Sequence, residues 1–153
     1  MRKAQGGFTY VAMLFALAVF VVGLAAIGES WSAASQRQKE EELSRIGEAY
    51  ERGIAEYYLM SPGSVKTYPR SLDELVEDRR FVGTVRHVRK IYPDPFTGNE
   101  KWGIVAAPDG GIAGVYSLSE KETLKKQNIV LRDGTIVGGA RYSDWKFIYR
   151  PKP

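Results

Sequence analysis

Between Lys3 and Glu29 the chain carries no charged side chain. The apolar run at 8–27 is about 20 residues long, and as an α-helix it spans roughly 30 Å, the thickness of a bilayer's hydrocarbon core. Most of what the N-terminal fifth of the chain can become is fixed by this run: in water it has nothing to hide behind. The two basic residues ahead of it, Arg2 and Lys3, predict that the N-terminus stays in the cytoplasm and that the chain beyond residue 28 faces the other side of the membrane, the periplasm in a Gram-negative cell.

A secretory signal has the same order of charge and grease, but three features disfavour it here. The run exceeds the usual apolar length of about 7–15 residues. No small-x-small cleavage site follows it, because Ile27 and Glu29 stand where small residues are needed. The sequence then continues in a helical pattern, with no turn after the run. No proline occurs between Phe8 and Met60, and the interior glycines Gly23, Gly28, Gly47 and Gly53 each cost up to about 1 kcal/mol relative to alanine. Beyond the run, Leu43, Ile46, Tyr50, Ile54, Tyr57 and Tyr58 recur at spacings of three and four, which predicts one apolar face. Lys39, Glu40, Glu41, Arg45, Glu48, Glu51, Arg52 and Glu56 are assigned to the solvent face, with Glu41–Arg45 and Glu48–Arg52 as four-apart pairs. Ser61-Pro62-Gly63 ends the helix.

The apolar stripe needs a cover, and the rest of the 153 residues supplies one. Ser71-Leu72-Asp73-Glu74 reads as a capping box opening a short helix. Tyr92-Pro93-Asp94-Pro95-Phe96-Thr97-Gly98-Asn99 reads as a rigid loop. Strands are predicted at 102–107 and 112–118, joined by the turn Pro108-Asp109-Gly110-Gly111 with positive-φ glycines. A second hairpin is predicted from 128–131 and 135–137 across Arg132-Asp133-Gly134, and a last strand at 145–150. The expectation is an α+β fold in which a long N-terminal helix, transmembrane in its first half, lies against a small antiparallel sheet. The corresponding boundaries are a leader at 1–7, a membrane segment at 8–28, the water-exposed helix half at 29–61 and an α/β head at 62–153.

Composition narrows the function. The formal charge is +4, but Arg2 and Lys3 supply half of it, and the remaining Lys and Arg are scattered among acids, so no nucleic-acid partner is expected. Arg79, Arg80, Arg86, His87, Arg89 and Lys90 form the nearest thing to a patch and read as a solvated loop. There is no cysteine, which excludes disulfides and thiolate chemistry. The lone His87 shows no partner in the sequence and reads as a surface histidine. Asp73, Glu74, Glu77 and Asp78 are accounted for by charge at a helix start. Gly110-Gly111 and Gly138-Gly139 read as turns, since neither leads a Lys-Ser/Thr into a helix. Trp102, Tyr116, Trp145, Phe147 and Tyr149 read as core and sheet-face residues. No nucleophile–base–orienter set is visible, so no enzymatic activity is expected.

Gly7-Phe8-Thr9 followed by the apolar helix resembles the leader of type IV pilins and type II secretion pseudopilins. The likeness extends through Tyr68-Pro69, Ser71-Leu72-Asp73-Glu74-Leu75, Ile91-Tyr92-Pro93-Asp94-Pro95-Phe96, Trp102-Gly103 and Pro108-Asp109-Gly110, in the order of elements of a major-type pseudopilin, and covers most of 6–118. The resemblance implies a pilin-like fold, cleavage between Gly7 and Phe8 by a prepilin peptidase, and methylation of the new Phe8 amine. It also implies a single-pass subunit of the inner membrane that assembles with other pseudopilin subunits on a secretion-system platform, helices inside and heads outside. Ala12, Ala16, Ala18, Gly23, Ala25 and Ala26 are the small residues that allow close helix approach.

Two departures from that family stand out. It usually has a Glu four residues after the mature N-terminus, where this chain has Ala12, which points to a minor, tip or initiating subunit or to different docking. Its major members also carry an Asp-rich calcium loop after the Pro-Asp-Gly element. Here only Asp109, Ser117, Ser119 and Glu120 are near, too few and too scattered for a cation that takes six or more oxygens, so no cofactor is expected. The alternative is a signal-anchored periplasmic binding domain that never assembles.

Overall fold

Unbroken helical sequence from the N-terminus to the first proline gives a single long element. In the computed structural model, which describes residues 6–124, 129–130 and 136–151 (side chains at 6, 7, 24–30, 129 and 136 excepted), helix α1 spans Gly6–Leu59. The chain divides into two compact units, Met1–Gln38 and Lys39–Pro153. The leader residues 1–5, Ala25 and Ala26 of the small-residue set, and the turn Arg132-Asp133-Gly134 lie outside the described residues or side chains.

Within the second unit the architecture is α+β. After α1 come a one-turn helix α2 (Asp73–Val76), β1 (Gly103–Ala106), β2 (Ile112–Tyr116), β3 (Ile129–Val130), β4 (Ile136–Val137), a 3-10 turn (Tyr142–Asp144) and β5 (Lys146–Ile148). The main sheet is antiparallel with strand order β1-β2-β5, and β3-β4 form a separate pair. Gly103 faces Tyr116, Val105 faces Gly114, and the register slips between Val105 and Ala106. β5 pairs with β2 through Gly114–Ile148 and Tyr116–Lys146. The β1–β2 turn follows the sequence with one difference: Gly110 has φ +80°, whereas Gly111 has ordinary φ. Gly111 is needed there for space, because a Cβ would lie 2.6 Å from Tyr68 Cβ and 3.1 Å from Pro69 O.

The stripe on α1 is buried as its spacing predicts through Tyr57, while Tyr58 at its end is half-buried. Leu43, Ile46, Tyr50, Ile54 and Tyr57 join Leu75, Trp102, Ile112, Val115, Tyr142, Trp145 and Phe147 in one core, with Tyr68, Tyr92, Phe96 and Tyr149 against its rim. Full burial of each such side chain is worth roughly 1.5–3 kcal/mol. Two glycines that weaken α1 in isolation serve this packing. A Cβ on Gly47 would penetrate the Phe147 ring, and one on Gly53 would lie 2.5 Å from Val88 Cγ2.

Several local expectations are corrected. Glu40 and Glu51, assigned to the solvent face, are buried. Glu40 lies three residues before Leu43 and so extends the stripe; its Oε1 accepts hydrogen bonds from Leu124 N and Tyr142 Oη, both at 2.8 Å. Arg45 pairs with Glu42 in place of Glu41, its Nε and Nη2 each reaching one carboxylate oxygen, and no ion pair joins Glu48 to Arg52 among the described residues. The Ser71 capping box does not form: Leu72 precedes α2 without a side-chain cap, and Glu74 Oε2 accepts instead from Arg70 N at 2.9 Å and Tyr57 Oη at 2.8 Å. Tyr57 is close enough to take the carboxylate that a local cap would have used.

Candidate functional site

The first unit holds one feature with functional content, the apolar surface of α1. At 3.6 residues per turn, Ala12, Ala16 and Gly23 fall within about 40° of one another around the axis and make one narrow small-residue line. All three are exposed, and a Cβ on Gly23 would meet nothing within 4 Å. Around the rest of the helix, eleven large apolar side chains between Phe8 and Val22 are each at least half exposed, from Leu14 at 50% to Phe8 at 82%. Gly7 is helical in its backbone and directly precedes Phe8. No helix among the described residues is long and apolar enough to cross a membrane. The run read at 8–27 is described side chain by side chain through Gly23, and Leu24 to Ile27 fall outside that description.

The second unit holds a polar cluster at the C-terminal end of α1. The chain turns back after α2, closing with an Asp78–Val85 bridge. Leu75 O then accepts from both His87 N (2.8 Å) and Val88 N (2.9 Å). That turn sets His87 against Gly53, whose missing side chain lets the His87 carbonyl approach the helix. The expected surface histidine is therefore a correction: the His87 side chain is 1% exposed, with Nε2 at 3.0 Å from Asp78 Oδ2. Arg80 leaves the expected solvated patch as well. It grips Asp78 through Nε (2.9 Å) and Nη2 (2.6 Å), donates to Tyr57 O (2.9 Å) and Ser61 Oγ (2.9 Å), and stacks 3.4 Å over the Tyr57 ring. Arg79, Arg86, Arg89 and Lys90 remain exposed.

Burial by itself would raise the Asp78 pKa, but the hydrogen bonds from Arg80 and His87 outweigh it and hold the carboxyl down at about 2. This is a charge-assisted clamp that satisfies one carbonyl of the last turn of α1, Tyr57 O, and ties the 78–88 segment to it. With His87 closed off from solvent and Asp78 fully buried, the cluster presents no base to a substrate.

Two other groupings complete the head. Asp94 fixes the Pro-Asp-Pro loop: Oδ1 accepts from Phe96 N at 2.9 Å and Oδ2 from Ser117 Oγ at 2.7 Å. Tyr92 N donates to Tyr50 Oη at 2.9 Å, and burial pushes the Tyr50 phenol up to about 12. Trp102, Trp145 and Phe147 are buried in the core, as read from the sequence, while Tyr116 and Tyr149 are half-buried. A groove of about 540 Å3 borders β1 and the C-terminal segment. Tyr58, Tyr68 and Tyr149 line it with ring centroids 4.7–6.4 Å apart.

The oxygens considered for calcium are engaged separately. Asp109 accepts from Tyr68 N and Gly111 N, Ser117 serves Asp94, and Glu120 pairs with Arg141 at 2.7 Å. No group of three or more His, Cys, Asp or Glu suited to a metal occurs among the described residues. Comparison with family models, with characterised proteins and with solved structures finds no match, so the geometry and the sequence stand as the only guides to function.

Proposed function

We propose that the chain is a pseudopilin-like structural subunit of a type II secretion or related type IV pilus-like filament system. On this reading it is stored in the inner membrane by the first half of α1, with the N-terminus in the cytoplasm and the head in the periplasm, and it is processed between Gly7 and Phe8 by a prepilin peptidase. Its action is mechanical, with no catalytic step. Lipid covers the apolar half of α1 until neighbouring helices replace it, the line Ala12–Ala16–Gly23 allowing close approach.

The observation that carries the reading is the uncovered apolar surface on residues 8–22 of a helix whose later stripe, Leu43 to Tyr57, is buried by its own head. The uncovered side chains forgo burial worth on the order of 20 kcal/mol, which a monomer in water does not recover. A surface of this kind is one that lipid or like helices occupy.

Ala12 favours a specialised place for the subunit. A carboxylate in lipid is expensive and persists only when paired, and this chain brings none to that position, so it joins by helix packing alone. Mass spectrometry of the membrane-extracted protein tests the reading. A chain beginning at Phe8 is expected, and a bulky residue at Gly7 should block its appearance. An intact Met1 start, or a cut beyond Ile27, overturns it. A signal-anchored domain that never assembles would tolerate the Gly7 substitution without loss of function.

A further inference from the structure

We infer that Tyr10 and Trp31 are interfacial anchors that set the depth of α1 in the bilayer, so that the Gly7–Phe8 bond is held at the headgroup level. The inference rests on the membrane reading proposed above and adds to it the residues that fix the register.

Both side chains are open, Tyr10 at 66% and Trp31 at 78% exposure. The Trp31 side chain makes no hydrogen bond or ring contact among the described residues. It differs in this from Trp102 and Trp145, which are buried in the head, so folding gives no account of it. Tyr and Trp have a large apolar body and one polar group, and they partition to the boundary between hydrocarbon and headgroups. Their separation fits two boundaries. At about 1.5 Å per residue, the 21 steps from Tyr10 to Trp31 cover roughly 32 Å of helix, against about 30 Å of hydrocarbon.

Charge agrees with the inner boundary, and at the outer one Glu29 lies two residues, about 3 Å, on the hydrocarbon side of Trp31, within reach of the headgroups. No charged residue lies between Lys3 and Glu29, and Arg37, Lys39 and the acids follow soon after Trp31. Phe8 precedes Tyr10 by two residues, about 3 Å. An aqueous peptidase active site at the membrane surface would then reach the scissile bond without unwinding the helix, and Trp31 resists any outward slide that would draw that bond into hydrocarbon.

The test uses the full chain in phosphatidylcholine–phosphatidylglycerol vesicles, with the emission of Trp31 obtained as the difference between the native chain and Trp31→Phe. Lipids brominated near the headgroup should quench that component about twofold or more strongly than lipids brominated near the chain end, as an interfacial indole requires. Stronger quenching by the deep label, or ready quenching by aqueous iodide while the protein sediments with the vesicles, overturns the anchor and leaves the membrane reading standing. Failure to sediment with vesicles overturns both. A second arm reads the register: Trp31→Leu combined with Ile27→Trp moves the outer anchor four residues toward the N-terminus, which slides the helix outward by about 6 Å and draws the Gly7–Phe8 bond toward hydrocarbon. Cleavage at Gly7–Phe8 should slow several-fold relative to Trp31→Leu alone, and equal rates would refute the depth argument.

Discussion

Replacing Gly47 by alanine separates a helix that merely tolerates glycine from one that requires it. In an isolated helix the substitution is favourable by about 1 kcal/mol. In the folded head the new methyl would enter the face of the Phe147 ring. That ring is fully buried on β5 with Trp145 and Tyr142, also fully buried, in the same core. It cannot swing aside, so β5 or α1 must retreat, at a typical overpacking cost of about 1–3 kcal/mol. A methyl that overlaps three atoms of a fully buried ring belongs to the upper half of that range, about 2–3 kcal/mol. After the propensity gain of about 1 kcal/mol, the net effect is a loss of about 1–2 kcal/mol.

Gly53→Ala should cost less, about 1 kcal/mol or under, because the main obstacle is a valine methyl, Val88 Cγ2, which can rotate, with His87 O at 3.3 Å. Gly23→Ala meets nothing and should leave the head unchanged. The assay is urea unfolding of the micelle-bound chain followed by near-ultraviolet circular dichroism, which reports the buried Trp102 and Trp145. With a slope of about 1.5 kcal/mol/M, the midpoint of Gly47→Ala should fall by roughly 1 M. A midpoint that rises, as propensity alone demands, refutes the close approach of α1 and β5.

The clamp at Asp78 predicts a pH dependence with a definite sign. Its pKa is depressed in the fold to about 2 against about 3.9 unfolded, so its contribution is complete above about pH 4 and disappears as pH falls through 2. Thermal melts between pH 5 and pH 2 should show that decline, and Asp78→Asn should flatten it while destabilising the head at pH 7 by about 3 kcal/mol, the cost of leaving Arg80 with a broken pair. Glu40→Ala removes the acceptor of Leu124 N, a part-buried bond, and of the fully buried Tyr142 Oη. It should cost about 2 kcal/mol or more by the same urea assay, and a neutral result would mean that neither bond forms.

Much of this fold is legible because it is periodic or punctuated. Residues 43–57 repeat at three and four, and the stripe is buried. Pro108-Asp109-Gly110 marks the β1–β2 turn, and the alternation around Phe147 marks β5. The loop around Asp94 was readable as rigid, since two prolines and a glycine within 92–99 forbid regular structure, while the Asx turn that Asp94 makes with Phe96 N came only with the fold. What stayed hidden has its partner far away in sequence. Glu40 sits on the helical spacing of the stripe, but its charge assigned it to water; the groups that satisfy it are 84 and 102 residues distant. His87 lacked a visible partner because Asp78 reaches it only through a turn that carries no periodic signal. Gly47 and Gly53 read as weak points, since sequence reports the conformational cost of a glycine and omits what comes close to it.

The two halves of α1 owe their helicity to different surroundings, and that difference is measurable. Residues 39–59 include Gly47 and Gly53, which together weaken an isolated helix by up to about 2 kcal/mol. This stretch is helical because the head buries its stripe and clamps its end through Arg80. Residues 8–23 have no such cover among the described side chains. Their helix depends on an apolar medium in which every backbone group must be satisfied within the segment. Denaturant that melts the head in detergent micelles should therefore remove the helix of 39–59 with it and leave the apolar half folded. After the Trp102 and Trp145 signal has been lost, far-ultraviolet circular dichroism should retain the ellipticity of about 20 helical residues, the length that spans an apolar core, out of the 54 in α1. Loss of all helical signal in the same transition would mean that the first half depends on the head for its structure, and the separation of roles along α1 would fail.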